Sequence, residues 1–249
     1  YKTATRGAML GFLAGMMALG AVSAVWSKGL VRKLSLVVLA VAIVIPIVFV
    51  FVKDSSFVRN SDVLTRFAGI SFDETTTQSR FLIWNIAYQA WQERPVLGWG
   101  PENFVYLFSK YYDAKLWKQE PWFDRAHNVF FDWLTAAGII GLAAYLSIFA
   151  ALGVILFRLL RRQHPPALVG VFGGLLVAYF INNIFVFDNF TSYILFFAVA
   201  AWLHWRWILT RGETAVSDNG SSEIKPVPFA PKSIITGVVL FWFCFQFIL

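Results

Sequence analysis

Two segments interrupt an otherwise apolar chain: residues 79–104, SRFLIWNIAYQAWQERPVLGWGPENF, and residues 122–142, WFDRAHNVFFDWLTAAGIIGL. The first predicts a helix over residues 80–94, ended by Pro95, because its apolar residues recur at the spacing of one helix face. Four aromatic residues mark that face: Phe81, Trp84, Tyr88 and Trp91. The helix is too polar to cross a membrane, so we expect it to lie at the interface with its aromatic face toward lipid.

The residues on either side of this helix predict its start and a second helix after it. Thr77 or Ser79 suits the N-cap position that would place Arg80 at the first turn. After a glycine-rich turn, Pro101 suits the first position of a second short helix, and Glu102 suits its positive end. We expect these short helices to form a lid over a bundle embedded in the membrane.

The composition indicates that bundle. The 249 residues are 58% hydrophobic and 14% charged, outside the usual balance of soluble domains. The apolar residues form blocks of about 20, the length with which an α-helix crosses a bilayer core. We therefore predict an all-α polytopic membrane protein with about six transmembrane helices and one long extracytoplasmic loop of short amphipathic helices. The predicted spans cover residues 7–26, 34–52, 128–157 and 167–187, then a fifth ending near Leu209 after a tight Asp188-Asn189 turn, and a sixth beginning near Ile234.

Basic residues in the short loops predict the orientation, since such residues collect on the cytoplasmic side. Three loops are basic: Lys28, Arg32 and Lys33; Arg158, Arg161 and Arg162; and Arg206, Arg211, Lys225 and Lys232. This places Arg6, a long extracytoplasmic loop at 53–126 and the Asp188 turn on the opposite side. We predict a membrane domain at 1–211, a cytoplasmic linker at 212–232 and a last, incomplete transmembrane segment at 233–249. Because the chain begins at Tyr1, we expect it to be the C-terminal part of a larger protein.

Several classes of protein and site are disfavoured by the same residues. The net charge of +7 is explained by cytoplasmic loops rather than by nucleic-acid binding. The lone Cys244 provides neither a disulfide nor a thiolate metal site within the chain. His164 and His204 lie on the other predicted side from His127, so we expect no histidine metal site and no cofactor.

Three residues are candidates for chemistry on the predicted extracytoplasmic face. The guanidinium groups of Arg80 and Arg6 match phosphate geometry, and helix N-terminal amides beside Arg80 would also favour a diphosphate. Histidine is the usual general base at neutral pH, which makes His127 the candidate base, with Asp124 or Asp132 to orient it. The alternatives are lipid headgroup contacts for the arginines and a structural role for the histidine. Asn182, Asn183 and Asp188 are polar at membrane depth, which indicates either a polar cavity or hydrogen bonds between helices.

The pattern resembles the O-antigen ligase and polymerase superfamily. The matching elements are an Arg-x-x-x-Trp helix (Arg80 to Trp84), a Pro-x-x-Gly-x-Gly turn (Pro95 to Gly100), and His127-Asn128 opening a helix that holds Gly138 and Gly141. Thr5-Arg6-Gly7 resembles the Ser/Thr-Arg-Gly element of the family. The resemblance runs from Thr5 to about Leu209.

The resemblance implies a bacterial glycosyltransferase with a fold like the membrane-embedded glycosyltransferase-C class, in the inner membrane with its active face periplasmic. The donor would be a glycan on undecaprenyl diphosphate, and the acceptor a sugar hydroxyl of lipid A-core. The reaction would invert the anomeric centre without a metal. His127 would be the general base and Arg6 and Arg80 would hold the diphosphate. Four further residues would contact substrate: Trp84, Arg125, Asn128 and Asp188.

Three alternatives stay open. A polymerase of the same superfamily would use the end of another repeat unit as acceptor, and some relatives use a protein hydroxyl. A transporter of the lipid-linked glycan would carry polar residues through several spans, whereas this chain concentrates them at one face. A non-enzymatic scaffold would tolerate the loss of His127.

Overall fold

The computed structural model describes residues 6–61, 64, 65, 68, 75–118, 122–162 and 164–215. Within them the chain is helical and contains no strand. The long helices are α1 (Arg6–Trp26), α2 (Gly29–Val52), α4 (Thr75–Glu93), α6 (Val129–Arg161), α7 (Pro166–Asn182) and α8 (Phe190–Ala215). The short ones are α3 (Ser56–Arg59), α5 (Phe104–Lys110) and a 3₁₀ helix at Ala114–Lys118. The linker beyond Ala215, the last segment at 233–249 and Cys244 lie outside the described residues.

Among the described residues, four helices are long and apolar enough to cross a membrane: Gly7–Trp26, Gly29–Val52, Val129–Arg161 and Phe190–Thr210. Over that part of the chain, these helices confirm an all-helical protein with several candidate spans. The fourth predicted span is shorter than expected, because α7 ends at Asn182 in a turn where Phe185 N–H donates to Asn182 O over 2.9 Å. The predicted two-residue turn at Asp188-Asn189 is wrong, since residues 183–189 separate α7 from α8.

The chain divides into two compact units. The first, here the loop unit, comprises Tyr1–Met9, Ile47–Ile148 and Phe180–Asp188. The second, here the span unit, comprises Leu10–Pro46, Phe149–Tyr179 and Asn189–Leu249.

Small residues and stacked rings hold the span unit together. A Cβ added to Gly15 would lie 2.6 Å from Gly174 O, so α1 and α7 approach closely there. Phe149, Tyr179 and Phe196 stack on one another, with ring centroids 4.9 Å apart for Tyr179 and Phe196. Helices surrounded by lipid gain little from the hydrophobic effect when they associate, so close van der Waals packing of backbones and rings is what holds them together.

In the loop unit, α4 packs on α5 through one face. Its buried residues recur three and four positions apart: Ile83, Ala87 and Ala90, with Ile86 beside them. They form one apolar cluster with Phe104, Leu107 and Phe108 of α5. Phe81 and Tyr88 lie on another face and are 47% and 44% exposed. The helix therefore has two apolar faces. On the aromatic face Phe81 and Tyr88 are left outside the core of the unit, whereas Trp84 stacks on Phe131 of α6.

Both predicted helix starts in this unit are wrong. The first turn of α4 begins at Thr75, so Thr77 and Ser79 lie inside the helix rather than capping it. Arg80 is its sixth residue and has no helix N-terminal amides beside it, because nothing in TTTQS stops the helix from extending. The second helix begins at Phe104 rather than Pro101, and Glu102 adopts a left-handed φ of 62° in the turn before it. The predicted stop before Pro95 is confirmed, since α4 ends at Glu93.

Candidate functional site

A break in α6 organises the loop unit. At Gly138 the backbone leaves helical geometry, with φ 65° and ψ −162°, and the helix resumes beyond it. The turn at residues 95–100 docks against this break through backbone hydrogen bonds. Trp99 N–H donates to Thr135 O at 2.7 Å, Gly100 N–H to Ala136 O at 2.9 Å, and Ile139 N–H to Pro95 O at 2.9 Å. Backbone groups that a break frees at membrane depth need such partners, so the turn completes the broken helix.

This contact explains why glycine stands at two of the motif positions, Gly98 and Gly138. A Cβ at Gly98 would lie 2.7 Å from Thr135 O, Ala137 N and Gly138 N. A Cβ at Gly138 would lie 2.7 Å from Leu97 N and would overlap the Val96 carbonyl. The sequence shows both glycine motifs, but it does not show that they touch.

His127 stands in the short connection that leads into α6. It adopts a left-handed φ of 53°, which is uncommon for a residue with a side chain. Its half-buried ring meets the rings of Phe123 and Phe187 edge-on, with centroids 5.6 and 5.2 Å away. Its Nδ1 lies 3.2 Å from the carbonyl oxygen of Arg125. Rings on two sides and one polar contact thus set the direction of the imidazole.

Both backbone polar groups of Ala126, the residue before His127, are held by side chains. The indole N–H of Trp84 donates to Ala126 O at 3.1 Å, and Ala126 N–H donates to Asp132 Oδ1 at 2.8 Å. The other oxygen of Asp132, Oδ2, is buried and has no hydrogen-bond partner within the described part of the chain. Of the two carboxylates considered for orienting the histidine, Asp132 therefore acts on the backbone next to it, whereas Asp124 is exposed.

Asn128, a predicted substrate contact, caps α6. Its side chain is buried, and its Oδ1 accepts from Phe130 N–H at 2.9 Å. The next residue, Val129, donates its N–H to Asn183 O at 2.9 Å. The start of α6 is thereby tied to the segment that follows α7.

That same segment contacts Arg80. The half-buried guanidinium donates through Nη1 to Phe185 O. A Cβ on Gly7 would lie 2.8 Å from Phe185 Cβ, so the first turn of α1 reaches this point too. Arg6 precedes Gly7 in the same turn, and its side chain lies outside the described residues. Residues 182–187 therefore connect the Arg80 side of the site to the His127 side, where Phe187 packs.

The remaining predicted site residues are already paired. Arg125 forms an ion pair with Glu102 and lies 5.9 Å from the centroid of the Phe187 ring. Asp188 Oδ1 accepts from Asn183 Nδ2 at 3.0 Å, and the same amide nitrogen lies 3.2 Å from Tyr145 Oη. Asn183 and Asp188, the polar residues after α7, are thus joined by side-chain hydrogen bonds. Hydrogen bonding was one of the two interpretations that the sequence left open for them. Sequence reasoning missed Phe123 and Phe187 as neighbours of His127, since nothing distinguishes them from the chain's other aromatics.

The structure thus describes a helical membrane protein in whose loop unit one short segment, residues 182–187, contacts both Arg80 and His127. The family model described as O-Antigen ligase matches residues 1–146, and the chain belongs to this family. The family consists of O-antigen ligases and polymerases, enzymes of surface polysaccharide assembly that use lipid-linked glycans. The match includes Arg6, Arg80 and His127 but not Asp188, and it is shorter than the predicted extent to Leu209. No curated protein and no solved structure matches the chain.

Proposed function

We propose that the protein transfers a glycan from undecaprenyl diphosphate to a sugar hydroxyl of lipid A-core, with His127 as the general base. The observation that carries this role is the contact between His127 Nδ1 and Arg125 O. A carbonyl oxygen only accepts, so the contact is a hydrogen bond when Nδ1 holds the proton. Nε2 then carries the lone pair, which a base needs to take the proton of an acceptor hydroxyl.

In the proposed reaction the acceptor oxygen attacks the anomeric carbon as the bond from that carbon to the diphosphate oxygen breaks. The hydroxyl proton passes to His127 Nε2, and undecaprenyl diphosphate leaves with the bonding electrons. Attack opposite the leaving group inverts the anomeric centre. No metal or cofactor takes part in this scheme.

Arg80 and Arg6 are proposed to stabilise the charge that develops on the departing diphosphate. A planar guanidinium binds phosphate oxygens in a two-pronged manner, and fixed cations stabilise a leaving anion without reorganising. The bond from Arg80 to Phe185 O supports this role, because it fixes the guanidinium on the segment that also carries Phe187 against His127. Trp84 and Asn128 support the site by holding the backbone on either side of His127. Arg125 and Asp188 are proposed to contact the glycan.

The wider architecture is part of the proposal. We infer about six spans in a glycosyltransferase-C-like arrangement in the bacterial inner membrane, with residues 53–126 on the periplasmic side. The basic ends of the predicted cytoplasmic loops support this orientation. The exposed Phe81 and Tyr88 of α4 support an interfacial position for that helix, because aromatic side chains are enriched at headgroup level.

The test is glycan transfer by the full-length protein in membranes, with a lipid-linked glycan donor and an extracted acceptor pool. His127→Ala is expected to lower the rate about 10²–10⁴-fold at normal protein level, with glycan accumulating on its lipid carrier. His204→Ala, which removes an exposed histidine from α8, is the matched control and should leave transfer unchanged. Arg80→Ala is compared in the same way with Arg59→Ala, an exposed arginine of α3.

The outcomes separate the alternatives. Labelled lipid A-core identifies a ligase, and labelled glycan repeats identify a polymerase of the same family. Full transfer by a well-folded His127→Ala protein contradicts the general-base role and favours a transporter or a scaffold.

A further inference from the structure

Three arginines at the C-terminal end of α6 lie close to two aromatic rings in the span unit: Arg158 and Arg162 beside Trp207, and Arg161 beside Phe157. Arg158, Arg161 and Arg162 are exposed, whereas Trp207 of α8 is 9% exposed and lies beneath them. The guanidinium carbons of Arg158 and Arg162 lie 5.3 and 5.1 Å from the centroid of the Trp207 ring. Arg162 also donates to Thr210 O, and the three arginines and Trp207 line an open groove. We call this the arginine groove.

The charges of the groove are unbalanced in the described part of the chain. The ion pairs between described residues join Lys110 to Glu93 and Arg125 to Glu102, and neither involves the groove. Cations held side by side repel one another, and cation–π contacts with one ring offset only part of that cost. A bound anion would remove the repulsion.

The position of the groove indicates which anion it suits. Arg158 and Arg161 end the candidate span Val129–Arg161, and Trp207 lies in the last turn of the candidate span Phe190–Thr210. The ends of spans lie at the level of lipid headgroups, where tryptophan is enriched and arginine reaches phosphate. The groove is open and has a volume of about 360 Å³.

We propose that the arginine groove binds the phosphate of one anionic phospholipid at the predicted cytoplasmic face. The guanidinium forks of Arg158 and Arg162 hold the phosphate oxygens, since both are fixed beside the same ring. Arg161, which lies 5.2 Å from the Phe157 ring, adds a third cation. The groove takes no part in the proposed transfer chemistry.

The experiment is native mass spectrometry of the full chain in detergent with one of three probes. These are phosphatidylglycerol, phosphatidylcholine with the same acyl chains, and inorganic phosphate. The groove variant carries Arg158→Gln, Arg161→Gln and Arg162→Gln. The control variant carries Lys28→Gln, Arg32→Gln and Lys33→Gln, which removes the same charge from exposed residues on the same predicted side. A third variant replaces the three arginines of the groove by lysine, keeping the charge and removing the forks.

Wild type is expected to retain one phosphatidylglycerol in preference to phosphatidylcholine. The groove variant should lose that adduct by about tenfold or more, the effect of losing at least one charge-assisted contact, while the control variant keeps it. The lysine variant should fall between them. Equal loss in groove and control variants overturns the proposal in favour of general surface charge, and inorganic phosphate that displaces the lipid overturns it in favour of a free anion. If the glutamine variant does not accumulate, the test is the comparison of wild type with the lysine variant. Equal retention of phosphatidylglycerol by these two proteins overturns the proposal.

Discussion

Gly138→Ala tests whether the turn at residues 95–100 and the break in α6 depend on each other. Gly138 has φ 65° and ψ −162°, a region that is essentially confined to glycine. An added Cβ would overlap the Val96 carbonyl and lie 2.7 Å from Leu97 N. Since the obstacle is backbone rather than a flexible side chain, the turn must move away from the helix.

The expected magnitude is the sum of two losses. The backbone conformation itself costs about 1–3 kcal/mol for a residue with a side chain. Retreat of the turn gives up the three hydrogen bonds from Trp99, Gly100 and Ile139, each contributing about 0.5–1.5 kcal/mol net. Together these predict that the local contact is destabilised by about 2.5–7.5 kcal/mol.

Hydrogen exchange measured by mass spectrometry is the assay, on detergent-solubilised full-length protein. Peptides covering residues 95–100 and 139–140 should exchange on the order of 100-fold faster in Gly138→Ala, since a loss of about 3 kcal/mol corresponds to that ratio. Gly153→Ala in the same helix is the matched control, because nothing lies within 4 Å of the added Cβ. It should leave exchange unchanged or stabilise the helix by up to about 1 kcal/mol.

Unchanged protection of Trp99 and Gly100 in Gly138→Ala would show that the turn does not depend on the glycine, and the reasoning would be wrong. Equal destabilisation by Gly138→Ala and Gly153→Ala would point to general helix disruption instead. Transfer activity is expected to fall with the lost protection, because α6 begins at Val129, directly after His127 and Asn128.

Three other variants test single contacts. Asp132→Ala should lower transfer at normal protein level, because Ala126 N–H loses its acceptor at a cost of roughly 1–3 kcal/mol; Asp132→Asn should restore much of the rate, since an amide oxygen also accepts. Trp84→Phe keeps a ring near Phe131 but loses the bond to Ala126 O, so thermal unfolding should show a loss of about 0.5–1.5 kcal/mol that exposed Trp122→Phe does not. The hydrogen bonds from Lys110 and Tyr111 lower the pKa of Glu93 below its ordinary 4.5, so their contribution is present above that pH and is lost as pH falls. The difference in melting temperature between wild type and Glu93→Gln should therefore be constant from about pH 8 to pH 6 and vanish in acid.

Local patterns in the sequence were enough to predict the class of the protein and the positions of most of its described helices. Blocks of about 20 apolar residues predict spans because a bilayer imposes that length, and the described candidate spans follow those blocks. Pro95 ends α4 where its missing N–H predicts an end. The order of the Arg80, Pro95 and His127 motifs indicates the family, which the match over residues 1–146 confirms.

The tertiary structure decided how these elements meet. The sequence shows two apolar faces on α4, but only contact with Phe104 and Phe108 determines that the Ile83 and Ala87 face is buried. Asp132 rather than Asp124 acts beside His127, because the first turn of α6 directs its carboxylate back to Ala126 N–H. Glycine permits a left-handed backbone at any position. The segment that requires one at Gly138 is Val96-Leu97, which lies about 40 residues earlier in the chain. Periodicity reports the neighbours of a residue along its own helix, whereas these choices depend on contacts that only folding brings together.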